Sequence, residues 1–98
     1  MFTSQLVLTR QNTSTPFHAV DAATLSHWTT TYVTTGLLVS RSESLTPDKL
    51  TKTIVNTWKE EADWNSFLAD PVIAAFMAAR TAYDKKNNIT ETLSTASS

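Results

Sequence analysis

Apolar and polar residues alternate from Phe2 to Arg10, with Phe2, Leu6 and Leu8 on one side and Thr3, Gln5, Val7 and Thr9 on the other. A period of two predicts a strand. After a loop rich in Asn, Ser and Thr that ends at Pro16, the period changes. Leu25, Trp28 and Tyr32 fall three and four residues apart, on one face of a helix over residues 21–35. The β-branched run Thr29-Thr30-Thr31, with Val33 and Thr34, resists that helix, so burial of Trp28 and Tyr32 has to impose it. Gly36, the only glycine, stands where a helix end takes a positive φ. Leu37 to Leu45 reads as a second strand, Thr46-Pro47-Asp48 as a turn and Lys49 to Trp58 as a third strand, which together predict a hairpin. Beyond Trp58 the pattern is helical again, with Ala62, Trp64, Phe67 and Leu68 inward. The acidic residues of its first turn face the positive end of the helix dipole. Asp70-Pro71 caps and restarts a further helix, whose inner face carries Ile73, Phe76, Met77, Arg80 and Tyr83 and which stops near Asn87-Asn88. Ile89 to Leu93 reads as a last strand. One domain thus spans residues 1–93, and residues 94–98 form a frayed polar tail.

Strand, helix, strand, strand, helix, strand is the split βαβ or ferredoxin-like plan of an α+β domain: an antiparallel sheet with its helices on one face. The other face is then solvated or covered by a partner. Alternation assigns Val7, Val39, Leu45 and Val55 to one face, and Leu6, Leu8, Leu38, Ile54 and Trp58 to the other. Two partly apolar faces on a small sheet predict a homodimer or larger assembly.

Composition narrows the functions. Apolar residues make up 41% of the 98 and charged residues 17%, as in a globular chain. The formal net charge of -1 gives no excess of cations for phosphates, which speaks against nucleic acid or an anionic membrane as partner. There is no cysteine, and the two histidines are too few for most His-rich metal sites. No apolar run approaches the length of a bilayer span and no signal-peptide pattern opens the chain, so a cytoplasmic location is expected.

Candidate chemistry is sparse. Trp58, Trp64 and Phe67 can wall a pocket for a planar aromatic ligand or simply fill the core. Asn56 shares a strand face with Trp58 and can turn its amide into such a pocket. Arg80 and Tyr83, on the inner helix face, can orient an enolate or phenolate; alternatively Arg80 lays its stem over the core and pairs with Asp84 or Glu61. His27 is a possible general base, but the only acid near it in sequence is Asp21, six positions away.

Thr57-Trp58 followed by Lys59-Glu60-Glu61-Ala62-Asp63-Trp64, then Phe67-Leu68 and Asp70-Pro71-Val72, resembles the dimeric α+β barrel superfamily, in particular the antibiotic biosynthesis monooxygenases and their haem-degrading relatives. The resemblance covers about Leu37 to Asn88. It implies a homodimer, two sheets forming a shared barrel, and a cavity between helices and sheet. Haem degraders place a ligating histidine where this chain has Met77, a tryptophan where it has Phe67, and an asparagine in the first strand that has no counterpart. No cofactor is therefore expected. The turn Leu45-Thr46-Pro47-Asp48 and the Arg80/Tyr83 helix also look similar to small tailed-phage proteins. Two functions follow: a non-enzymatic structural or interaction protein, with a phage origin and a place in the host cytoplasm or virion, or a cofactor-free monooxygenase or small-molecule-binding dimer that takes planar aromatic ligands.

Overall fold

Alternation in four segments builds one antiparallel sheet in a computed structural model that describes residues 1–97. Its strands are β1 (Phe2–Thr9), β2 (Leu38–Leu45), β3 (Thr51–Trp58) and β4 (Thr90–Ser97), in the order β2-β3-β1-β4. Helices α1 (Ala22–Trp28), α2 (Glu61–Ala69) and α3 (Pro71–Lys86) cover one face. This is the split βαβ plan that the order of elements predicts.

Local chemistry explains where elements start and stop. Asp21 caps α1, its carboxylate accepting from Thr24 N–H at 3.0 Å and Thr24 Oγ1 at 2.6 Å. The α-helical pitch ends where the threonine run begins. Thr29–Val33 forms a wider π-helical turn, with Thr34 N–H bonded back to the Thr29 carbonyl at 2.9 Å. The helical spacing is therefore kept in modified form, and Tyr32 reaches the core. Gly36 takes φ +80° after it. Lys49, expected to open the third strand, instead takes φ 62° and closes the turn, so β3 begins two residues later. Asp70 ends α2 and caps α3, accepting from Val72 N–H at 2.9 Å, with Pro71 at the first helical position. Asn88, at φ 56°, ends the helical stretch.

Two expectations are corrected. The last strand continues past Leu93, because Ser94, Thr95, Ala96 and Ser97 pair with Gln5, Ser4, Thr3 and Phe2. The tail expected there is a sheet edge; Ser98 lies outside the described residues. Leu45 also changes face. Leu38 pairs with Trp58 and Ser40 with Thr57, so Val39 is an extra residue, a β-bulge. From there the phase of β2 reverses: Arg41, Glu43 and Leu45 stand opposite Asn56, Ile54 and Lys52, on the helix side of the sheet. The face away from the helices holds Ser40, Ser42 and Ser44 instead.

The core sits at one end of the sandwich. Trp58 is fully buried, its ring centroid 4.8 Å from Phe67, 5.9 Å from Trp64 and 5.9 Å from Tyr32, and its indole N–H donates to Ser4 Oγ at 3.3 Å. Phe2, Leu38 and Ile73 complete the cluster. Trp58→Ala is expected to cost about 3 to 5 kcal/mol in urea denaturation, through lost transfer energy and an unfilled cavity. A loss below about 1 kcal/mol would show that the indole is not a packing centre.

Candidate functional site

Because the aromatic cluster fills only one end of the space between layers, a cavity of about 320 Å³ remains over the rest of the sheet. That is the lower end of the range for small-molecule sites. Its floor is the helix-side face of β1, β2 and β3, where Leu6, Leu8 and Ile54 are apolar. Across that floor runs one polar row, Arg41, Asn56 and Ser4, which the pairing of the three strands sets side by side. Its walls are Trp28 and Leu25 of α1, Trp64 and Phe67 of α2, and Phe76 and Met77 of α3.

The polar row is incompletely satisfied. Asn56 Oδ1 is buried without a hydrogen-bond partner among the described residues, and such an atom inside a fold costs about 1 to 3 kcal/mol unless something donates to it. Arg41 is held by Glu43 at 2.8 Å, with its guanidinium 5.4 Å from the Trp28 ring centroid. Ser4 already accepts from Trp58.

Of the residues predicted for a site, Asn56, Trp64, Phe67 and Arg80 line this cavity. Trp58 lies outside the lining, in the closed core behind it. Tyr83 is also outside: its hydroxyl donates to the Pro16 carbonyl and its ring packs 5.1 Å from His18. Arg80 pairs with neither Glu61 nor Asp84 by direct contact. Its Nε lies 3.4 Å from Glu91 Oε1 on β4, an ionic contact with no hydrogen bond formed at Nε. Asp84 is buried beside them. Burial first, and then the Glu91 carboxyl, push it up to about 7, while Arg80 pulls the other way.

Arg41, Lys52 and Ser4 escaped the sequence reading. Lys52 was legible, because it keeps the period of two with Ile54, Asn56 and Trp58. Arg41 was not, because the bulge reverses its face. His27 does have an acid partner, far away in sequence. Its Nε2 lies 2.6 Å from Asp70 Oδ2, which also accepts from Tyr32 Oη at 2.6 Å. Burial works against the Asp70 charge, but the hydrogen bonds from Tyr32, His27 and Val72 N–H outweigh it and hold the carboxyl down at about 2. Burial, followed by the Asp70 bond and charge, raises the Tyr32 phenol well above its ordinary range. None of these three side chains lines the cavity, and their bonds fasten α1 to the α2–α3 junction. A second depression, of about 650 Å³, adjoins the cavity at His18 and Phe76, but it is open and mostly apolar.

No protein-family model matches the chain, and no curated protein matches its sequence. Solved structures do match its fold. A candidate antibiotic biosynthesis monooxygenase from Deinococcus radiodurans superposes with a TM-score of 0.60 at 15% identity, covering 100% of this chain and 92% of that one. The fold is the ferredoxin-like one. A dimeric ferredoxin-like protein from an uncultured marine organism gives a TM-score of 0.60 at 12% identity, over 97% of this chain and 92% of that one. The resemblance read from Thr57 to Val72 is thus borne out at the level of fold, and neither of these two proteins is described as a phage protein. Among the described residues, no group of side chains could hold a metal ion, and no helix is long and apolar enough to cross a membrane.

Asp70 and Asp84 give opposite pH signatures. Asp70 is held below its ordinary 3.8, so its stabilising effect is complete above about pH 4 and is lost as pH falls towards 2. Asn can still cap α3, so Asp70→Asn isolates the charge: the gap to wild type in urea midpoint should be constant near neutrality and close between pH 4 and 2. Asp84, raised above 3.8, keeps in the folded state a proton that the unfolded chain gives up. Its contribution is therefore greatest below about pH 4 and is lost as pH rises to about 7. Relative to wild type, Asp84→Asn should gain stability across that window; a gap that stays flat with pH would contradict the assignment.

Proposed function

We propose that this chain is a small-molecule-binding protein that works as a homodimer and takes a planar, largely apolar ligand between its helices and its sheet. The observation that carries the reading is the buried, unpartnered Asn56 Oδ1 on the floor of a cavity walled by Trp28, Trp64 and Phe76. Flat aromatic walls favour a flat ligand, and a lone acceptor on the floor calls for a ligand that donates an O–H or N–H. Trp64, Phe67 and Arg80 are the other ligand-facing residues.

Dimerisation is supported by the face away from the helices. Thr and Ser dominate it, with Gln5, Val7, Val55 and Ala96, and it carries no Asp, Glu, Lys or Arg among the described residues. Depletion of charge is one feature that such a face shares with the centre of an interface. The fold is shared with a protein described as dimeric, and two such faces packed together would make the shared barrel. A non-enzymatic assembly module draws support from that face alone, which a simple dimer already explains.

A catalytic reading is favoured by the fold shared with a candidate monooxygenase. In it the cavity binds a phenol or enol whose O–H donates to Asn56, and the substrate itself supplies the electrons for oxygen, with no cofactor. Binding is the part to test first. A neutral planar phenol such as naphthol should bind, and Asn56→Leu should weaken it about tenfold, the value of one buried hydrogen bond. No heat on titration at millimolar naphthol would remove the cavity as a ligand site. Light scattering at micromolar concentration should give a dimer, which Val55→Glu converts to a monomer; a monomeric wild type would remove the interface.

A further inference from the structure

Three cations line the cavity: Arg41, Arg80 and Lys52. Two are answered by carboxylates, Arg41 by Glu43 and Arg80 by Glu91. Lys52 forms no ion pair among the described residues. Glu43, on the neighbouring strand and on the same face, is already taken by Arg41. Lys52 Nζ sits 4.9 Å from the centroid of the Phe17 ring, and Arg10 lies over the same ring at 4.3 Å. Arg10 is equally without a carboxylate, donating instead to the carbonyls of Lys49 and Thr15, at 2.9 Å each. Two cations without a carboxylate partner among the described residues therefore flank the Phe17 ring, and one of them, Lys52, lines the cavity, in a chain whose net charge is -1.

From this arrangement we infer that the ligand is an acid: its carboxylate pairs with Lys52 at the mouth, near Arg10, while its far end donates a hydrogen bond to Asn56 inside. The inference rests on the ligand-binding reading above and adds the chemical class. Lys52 and Asn56 are four residues apart on the same face of β3, so their Cα atoms are about 13 Å apart. A ligand reaching both side chains has the length of a two-ring hydroxy acid. Between them lie Ile54 and its neighbour Leu6, with Leu8 beside Lys52, an apolar floor for the body of the ligand. A cation at the mouth also draws anions towards an otherwise neutral opening.

The test compares hydroxynaphthoic acid with its methyl ester at pH 7 by calorimetric titration. The two share body and hydroxyl and differ in charge. The acid should bind at least about tenfold more tightly, as one charge-assisted contact allows. Lys52→Gln, which keeps much of the stem, should bring the acid to within about twofold of the ester and leave the ester unchanged. Equal affinities for acid and ester, or an acid preference that survives Lys52→Gln, would overturn the inference while the cavity itself stands. If neither compound binds, the ligand-binding reading falls, and this inference falls with it. Circular dichroism of the Lys52→Gln protein separates a binding loss from misfolding, and Lys52→Arg, which restores the cation, should recover the preference.

Discussion

The layers of this protein meet at one indole. Trp58 ends the central part of the sheet and is wholly buried, with Tyr32, Trp64 and Phe67 around its ring and Ser4 taking its N–H. Burial of a side chain this large is worth several kcal/mol against a net stability that small domains hold only narrowly. It sets the spacing of helices and sheet at one end of the molecule. With that space filled by aromatic rings, the smaller Leu6, Leu8 and Ile54 leave room further along, and a cavity follows from the unequal distribution of side-chain volume.

Charge within that space is arranged by register as much as by sequence. Asp70 illustrates the economical version: one carboxylate caps α3, receives Tyr32 and faces His27, so two segments far apart in the chain share a single anion. Around the cavity the balance is less even. Acids answer two of its cations, and Asn56 is left with an empty acceptor. Those departures from full pairing are what the ligand-binding proposal rests on.

The order of elements was legible because periodicity and caps agree along most of the chain. Pro71 after Asp70, Gly36 after the first helix and Asn88 after the last each mark a boundary by a backbone requirement that can be read locally. Asn56, Trp64, Phe67 and Arg80 were legible as inward residues for the same reason. What could not be read depended on partners distant in sequence. The His27–Asp70 contact joins residues on separate helices, and Tyr83 turns to Pro16 across the loop that follows β1. The polar edge strand offered nothing local to show that Ser94 to Ser97 would pair, since Ser and Thr are at home in tails and strands alike.

The bulge at Val39 has a reach out of proportion to its size. Were Val39 to pair regularly with Thr57 instead of bulging, every side chain of β2 beyond it would exchange faces. Arg41 and Glu43 would leave the cavity and put two charges on the surface that is otherwise free of them, while Ser40, Ser42 and Ser44 would turn towards the helices. A one-residue slip in the pairing of this serine-rich edge strand would thus alter the proposed ligand cavity and the proposed dimer face together. Two properties that look separate on opposite sides of the sheet are inherited as one.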